Sequence, residues 1–474
     1  MWRQVYGIVM NAWSRNSGSA VLSLIFAPFV LFSILASVFL TPPFQVPDEP
    51  AHFQRAIQVS QGGVRGVMFG VQAGGFLPGN LQKVLHVFDD IPFRPENKAT
   101  PARIDALASV GWDKFFAFQG FPNTVTYGPI AYAPGAVGVV VGRMLRMSII
   151  QTSYISRLAN GLVFLVLASS AVALCRRGGL FLAVVLSLPM TVFLAGSLSE
   201  DGVVIGVSAL VASLLTRHQR SVAWSWKIWA FLGAGFGIVA MAKPPLLALS
   251  LISIFLVDRR ELRAAILCPI VAAALTFAWL IWGVSPVKVQ LLAGSEFSDA
   301  GQVRYVVTHP LAFVFLLANT IQAYGDAYRS QFIGVLGWLD APFPSWFYRA
   351  AKNILLVSFL FAFLVPRGNA SPKEFFCGAA RRTGVAASVL LSAIGIFFSL
   401  YVVWTKVGAP VAEGVQGRYF LPGACFLVLL APRWKPFRVS TTDAAIAGVA
   451  TLGFAVWLTC VFGAFTHLLA VRFW

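Results

Sequence analysis

Long apolar runs separated by short polar or Pro- and Gly-rich connections set the pattern of this chain. Runs near 21–40, 154–174, 180–197, 203–217, 227–242, 244–257, 264–283, 347–365, 384–404, 419–431 and 442–465 are each close to the length a helix needs to cross the hydrocarbon core of a bilayer. The pattern predicts an all-α polytopic membrane protein with about eleven spans, in a range of roughly nine to thirteen. Alternating apolar and polar positions do not recur in ~10-residue segments, which argues against an outer-membrane barrel. Arg3 and Arg15 precede the first run, and no small-residue cleavage site separates that run from Pro42-Pro43. It therefore reads as an uncleaved first span.

Two stretches do not fit the span pattern. The connection 41–153 is too long for a simple turn and too Gly-rich for an ordinary soluble domain, so a functional loop carrying interfacial helices is expected there. Within it, Tyr127-Gly128-Pro129 opens an apolar stretch to Val141 that ends in Arg143 and Arg146. It is expected to be an interfacial or re-entrant helix with its tyrosines at headgroup level. The run Leu311–Ile321 is too short to cross and is expected to behave in the same way.

Composition strengthens this picture: the 474 residues are 58% hydrophobic and only 11% charged. The net charge of +18 comes from small basic clusters between apolar runs rather than one interleaved patch, which reads as topology and not as nucleic-acid binding. By the positive-inside rule, Arg176-Arg177, Arg217 to Lys227, Arg259-Arg260 with Arg263, Arg367 to Arg382, and Arg433 to Arg438 are cytoplasmic. Arg349 and Lys352 run against that rule. Alternation then places the N-terminus inside, the C-terminus outside, and segments 41–153, 286–346 and 405–418 on the extracytoplasmic side. Of the 18 acids, only Asp258, Glu261, Glu374 and Asp443 remain cytoplasmic, so the chemistry gathers outside with no separate soluble domain. The five cysteines are scattered without metal-type spacing. No P-loop, dinucleotide fingerprint, HExxH or GxSxG sequence is present, which disfavours ATP-driven pumps and the usual hydrolases.

The polar motifs then acquire weight. Pro47-Asp48-Glu49-Pro50, with His52 two residues on, joins two carboxylates to a restricted turn at a membrane surface. One acid can serve as a general base of raised basicity, and the same turn can equally be a helix cap. Glu200-Asp201 interrupts two apolar runs, where acids cost ~2.5–3.5 kcal/mol each at membrane depth. A polar cavity or a helix-start acid accounts for them. Lys243-Pro244-Pro245 breaks an otherwise uncharged stretch, either as a cation for phosphate or as a snorkelling lysine. In Glu413–Pro422, Gln416, Arg418 and Tyr419 suit phosphate and sugar, although an interfacial anchor explains the last two as well. Trp338 and Asp340 lie in an aromatic outer loop that fits a carbohydrate, a headgroup or an interface belt. The other histidines, His86, His218, His309 and His467, have no ligand-like spacing.

The segments 42–56 (PPFQVPDEPAHFQRA), 127–138 (YGPIAYAPGAVG), 199–202 (SEDG), the Lys-Pro turn, 334–344 (GVLGWLDAPFP) and 413–422 (EGVQGRYFLP) together resemble the bacterial membrane-protein family of domain of unknown function 2142 (DUF2142). That family in turn resembles the GT-C class of glycosyltransferases in its single span, long outer loop opening on an acidic pair, interfacial helices and ten or so further spans. The resemblance implies a bacterial inner-membrane enzyme that moves a sugar from a polyprenyl-phosphate donor to a glycan or lipid acceptor of the cell envelope on the extracytoplasmic face. It implies Asp48, with Glu49 beside it, as the catalytic carboxylate. Lys243, Arg418, Tyr419, Gln416, Glu200, Asp201, His52, Tyr127, Trp338 and Asp340 become the donor-binding set. The large C-terminal soluble domain that some members of the class use for acceptors is missing from this chain.

The expected reaction is an inverting transfer in which Asp48 takes the acceptor's proton while fixed cations stabilise the departing lipid phosphate. A divalent cation, magnesium or manganese, shared by Asp48, Glu49 and Asp201 is an optional part of that scheme, since carboxylates alone are weak evidence for a metal. Two alternatives stand beside it: a polysaccharide polymerase or ligase using a lipid-linked glycan, and a transporter or flippase of lipid-linked or anionic solutes. The second lacks the paired broken helices usual for transporters.

Overall fold

A computed structural model describes residues 18–218, 222–292, 294, 296–364, 372–432 and 441–474. Arg3, Arg15, Arg220, Arg367 and the cluster Arg433 to Arg438, used above for orientation, lie outside the described residues. The described chain is a helical bundle carrying a small, mostly non-helical cap at one end.

Among the described residues, six helices are long and apolar enough to cross a membrane: Val21–Leu40, Ile149–Leu174, Leu262–Val287, Ser345–Phe363, Gly378–Trp404 and Gly448–Phe473. A seventh crossing arises if Asp299–Thr308 and Pro310–Ile333, bent by 107° at their junction, form one span. Leu311–Ile321 is thus the first half of a longer helix, whose second half is obscured in the sequence by Gln322, Asp326 and Arg329. Four further apolar runs form helices of 10–17 residues: Asp201–Thr216, Trp226–Ala242, Pro244–Leu256 and Gly417–Leu430. The run expected at 180–197 is two short helices, Gly179–Leu186 and Pro189–Ala195. Pro189 lacks the N–H that continuation requires and starts the second of them.

Helix Ile149–Leu174 is the central post, packing against Gly18–Leu40, Ala133–Met144 and Asp201–Thr216. It begins in a capping box in which Ser148 and Gln151 satisfy each other's backbone N–H groups. Ala133–Met144, the expected interfacial or re-entrant element, has 12 residues and cannot span. Gly138 lets it lie against the Ser156 backbone, where a Cβ would come within 2.8 Å of the Ser156 nitrogen.

The first loop also contains what the sequence did not announce: a three-stranded antiparallel sheet, β1 Val67–Phe69, β2 Gln72–Pro78 and β3 Phe116–Gly120. Glycines at 70, 74, 75 and 79 blur the period-two signal that would have betrayed it. The expected helical membrane architecture holds in its coarse form: the described chain is mostly helical, with this small sheet and a two-stranded ribbon, Val335–Leu336 with Ala341–Pro342, added to it.

Segments 41–153, 286–346 and 405–418 meet at one end of the bundle, and the C-terminal helix Thr441–Phe473 ends there too. Val407 N–H donates to the Glu296 carbonyl at 3.0 Å, Ala99 N–H to the Phe473 carbonyl at 2.8 Å, and the Trp474 indole to the Leu40 carbonyl at 2.8 Å. Asp340 ties this end together. It accepts from the Arg472 guanidinium at 2.6 Å, from Phe93 N–H at 2.7 Å and from Trp338 N–H at 3.0 Å. Replacing Asp340 by Ala strands a buried arginine, and we expect a loss of about 3–5 kcal/mol, read as a lowered apparent Tm of the detergent-solubilised protein.

Candidate functional site

Pro42-Pro43 ends the first helix, and the chain then turns through two non-glycine residues in the left-handed region, Phe44 at φ 66° and Asp48 at φ 60°. Such strain persists only where the surroundings enforce it. The Trp338 indole does so at one end, donating to the Phe44 carbonyl at 3.2 Å. At the other end helix Glu49–Ser60 begins with Pro50 in its first turn. Asp48 occupies the cap position without bonding its side chain to the helix, so the cap explanation of this acid is not the one the geometry follows.

The two acids of the pair have opposite fates. Glu49 is fully buried, and Arg157 grips both its oxygens, Nε to Oε1 at 2.8 Å and Nη2 to Oε2 at 2.5 Å. Leu198 N–H adds a third bond at 3.1 Å. Asp48 is 43% exposed, held only by Asn123 Nδ2 at 3.2 Å and by Arg418 Nη2 at 3.8 Å. Glu49 is a locked strut and Asp48 an available carboxylate.

Facing Asp48 lies a largely buried network drawn from four other motifs. Glu200 Oε2 accepts from the Tyr132 hydroxyl at 3.3 Å and sits 3.2 Å from His52 Nδ1, which is itself 2.8 Å from that hydroxyl. Burial and the Glu200 carboxylate push the Tyr132 phenol well above its ordinary range, so it stays a protonated donor. Asp201 pairs closely with Lys243 and stands 3.7 Å from Arg418 Nη1. Lys243 is also 3.8 Å from Glu200. Gln416 Oε1 accepts from Arg418 Nε at 2.7 Å and aims the guanidinium.

Tyr419 lies beneath both cations, 5.0 Å from Lys243 Nζ and 5.4 Å from the Arg418 guanidinium. Tyr127 stacks on His52 with ring centres 6.4 Å apart. Arg418 is buried, yet its Nη1 has no hydrogen-bond acceptor. A cation with unsatisfied donors at the floor of a polar site is a place for an anion.

Beyond Tyr419 the surroundings turn apolar. A cavity of about 230 Å³ is lined by Leu246, Phe332, Val389, Ile396, Tyr419 and Phe420, among others. Tyr419 is common to both compartments.

Of the residues singled out in the sequence, Asp48, His52, Tyr127, Glu200, Asp201, Lys243, Gln416, Arg418 and Tyr419 converge. Trp338 and Asp340 do not make their contacts there. They brace the Phe44 turn and the C-terminal helix, because their polar groups are consumed by Phe44, Phe93 and Arg472. Asp48, Glu49 and Asp201 do not form a metal-ligand set either. Among the described residues no group of three His, Cys, Asp or Glu is arranged to hold an ion, Glu49 is spent on Arg157, and the other two acids face Arg418.

Three contributors escaped the sequence reading. Arg157 was discoverable as a single charge inside a membrane-length apolar run. Tyr132 was present in the YGPIAYAP motif without being weighed, and Asn123 carries no sequence signal.

The family model of predicted membrane proteins called DUF2142 matches residues 31–464, and the chain belongs to that family. No curated protein matches it.

The contrast between the neighbouring acids is testable by stability alone. Glu49→Gln leaves Arg157 buried without its counter-charge, and we expect a loss of about 3–5 kcal/mol. Asp48→Asn, at a half-exposed position with loose contacts, is expected to leave the thermal unfolding profile essentially unchanged.

Proposed function

We propose that this member of the DUF2142 family is an inverting glycosyltransferase that moves a sugar from a polyprenyl-phosphate donor to a glycan or lipid acceptor of the cell envelope. The observation that carries the reading is the junction at Tyr419, where buried Arg418 and the nearly buried Lys243 meet an apolar cavity while one accessible carboxylate lies beside the arginine. A lipid phosphate has the matching halves. We place the reaction on the extracytoplasmic face of a bacterial inner membrane, in a GT-C-like arrangement with the loop-bearing end of the bundle outward.

In this mechanism the donor's phosphate takes the free donors of Arg418 Nη1, with Lys243 close by across the Tyr419 ring. Asp201 and Glu200 hold Lys243 in place, and Gln416 holds Arg418. Engaging Arg418 draws it from its already long contact with Asp48 and leaves that carboxylate open to the acceptor hydroxyl. Asp48 then accepts the proton of the acceptor hydroxyl as that oxygen bonds to the anomeric carbon. The bond from that carbon to the phosphate oxygen breaks, and its electron pair leaves with the lipid phosphate. Charge growing on the phosphate is met by donors already oriented in a site of low dielectric, which is where such preorganisation has most effect. Glu49 takes no part as a base, since its oxygens are engaged and shielded. No step runs through a metal ion.

Purified protein incubated with a panel of radiolabelled polyprenyl-phosphate sugars and envelope acceptors tests the reading. Wild type is expected to transfer label and release polyprenyl phosphate. Asp48→Asn is expected to lose on the order of 10²–10⁴-fold in rate, the usual contribution of a general base. Arg418→Ala is expected to lose about 10²–10³-fold, the scale of one preorganised charge stabiliser. Undiminished transfer by Asp48→Asn would sink the mechanism. Long polymeric product from a lipid-linked glycan would move the protein to the polymerase or ligase class, and substrate movement across vesicles without covalent change would move it to the transporters.

A further inference from the structure

The sheet in the first loop has two unlike faces. On one, Ala73 and Leu77 are buried, and Gln119 reaches the acidic-turn helix through Gln54 at 3.0 Å. Gln58 of that helix also donates to the Gly74 carbonyl at 3.3 Å. On the other face, residues 67, 69, 76 and 118 project together, as the registers Val67↔Gly74, Phe69↔Gln72 and Phe76↔Phe118 require. Phe69, Phe76 and Phe118 form a ring cluster with centroid distances of 5.1–6.4 Å. Among the described residues it is left open: Phe69 is 61% exposed, Phe76 49%, and Val71 at the hairpin tip 88%. A contiguous aromatic face of this kind on a loop that buries its other side marks a surface with an occupant.

Its position identifies the occupant. The root of β1 rests on the end of the candidate span Leu262–Val287. The Arg65 guanidinium lies 5.5 Å from the ring centre of Trp282, and a Cβ on Gly66 would stand 3.3 Å from the Val287 side chain. Trp282, 50% exposed near that end, is in the place where tryptophans mark the headgroup level. Between Glu49 and Asp89 the chain has no acidic residue, while Arg55, Arg65 and Lys83 are basic, so the hairpin brings no negative charge to a phospholipid surface. Phenylalanine and valine, without polar handles, suit immersion at the boundary of headgroups and acyl chains.

We propose that the β1–β2 hairpin docks on the bilayer, seating Phe69, Phe76, Phe118 and Val71 at the headgroup–acyl boundary beside the span ending at Val287. The hairpin then holds the acidic-turn helix at a constant height over the membrane, because the opposite face of the same sheet is bonded to that helix.

The test uses full-length protein in phospholipid vesicles, with Cys377→Ser and Cys460→Ser to remove competing thiols. An environment-sensitive fluorophore is attached at Val71→Cys or Phe76→Cys, with Glu96→Cys in the same loop as the aqueous control. The expected result is several-fold less quenching by iodide at 71 and 76 than at 96, with strong quenching by lipids brominated near the headgroup. Iodide access equal to that at 96 would overturn the proposal. So would protection that arises only when a glycan acceptor is added, which would assign the face to sugar. Two separate label sites guard against a local packing defect at either. The outcome is independent of transfer activity, so it stands or falls apart from the proposed reaction.

Discussion

The buried pair Arg157–Glu49 is the contact on which the rest of the site depends. Arg157 has five N–H donors and uses all of them: two on Glu49 and one each on the carbonyls of Val38, Thr41 and Pro42. Those carbonyls lie at and just beyond the end of the first helix, where the last turn lacks helical partners and the helix dipole favours a cation. Glu49 stands at the start of the next helix, where the dipole favours an anion. The pair therefore joins a helix end to a helix start across a turn that would otherwise leave several polar groups buried and unsatisfied. Desolvating two charges is expensive, and complete hydrogen bonding is what makes it tolerable here.

The same pair fixes the distance between motifs far apart in sequence. Glu49 Oε1 accepts from Leu198 N–H, and Asn160, one turn beyond Arg157, donates to the Ser197 carbonyl at 2.8 Å. The turn bearing Glu200 and Asp201 is thereby pinned against the turn bearing Asp48. Lys243 enters because Gly128 N–H donates to the Met241 carbonyl at 3.1 Å, docking the 127–132 segment onto the end of helix Trp226–Ala242. Arg418 enters because Gly417 lets its own backbone lie against that of Tyr328, which any side chain would prevent.

Charges in this site are graded by how firmly they are held. Glu49 is immobilised on both oxygens, Asp201 is neutralised by Lys243, and Glu200 is shared among His52, Tyr132 and Ser199. Asp48 and one side of the Arg418 guanidinium are left with long contacts or none. In a medium of low dielectric those two groups have the most to gain from a ligand. The site's room for a ligand lies in those unsatisfied bonds, and the surrounding network keeps the two groups from collapsing onto each other.

Much of this was legible in the chain. Apolar run lengths determined a helical membrane protein, because a bilayer requires every backbone polar group to be bonded within a helix. Charges placed against those runs marked Asp48, Glu200, Lys243 and Arg418, because each is costly there without a purpose. What the runs did not determine was which of them form long helices: the segment 180–197 breaks at Pro189, while 310–333 continues through polar residues. Nor was the sheet visible, since glycines erase its alternation. Only the tertiary structure decided that Glu49 is a strut and Asp48 is free, or that Asp340 braces the C-terminus instead of joining the site. Neighbours in sequence share a composition, but burial and available partners are properties of whatever packs against each side chain, and those partners come from tens to hundreds of positions away.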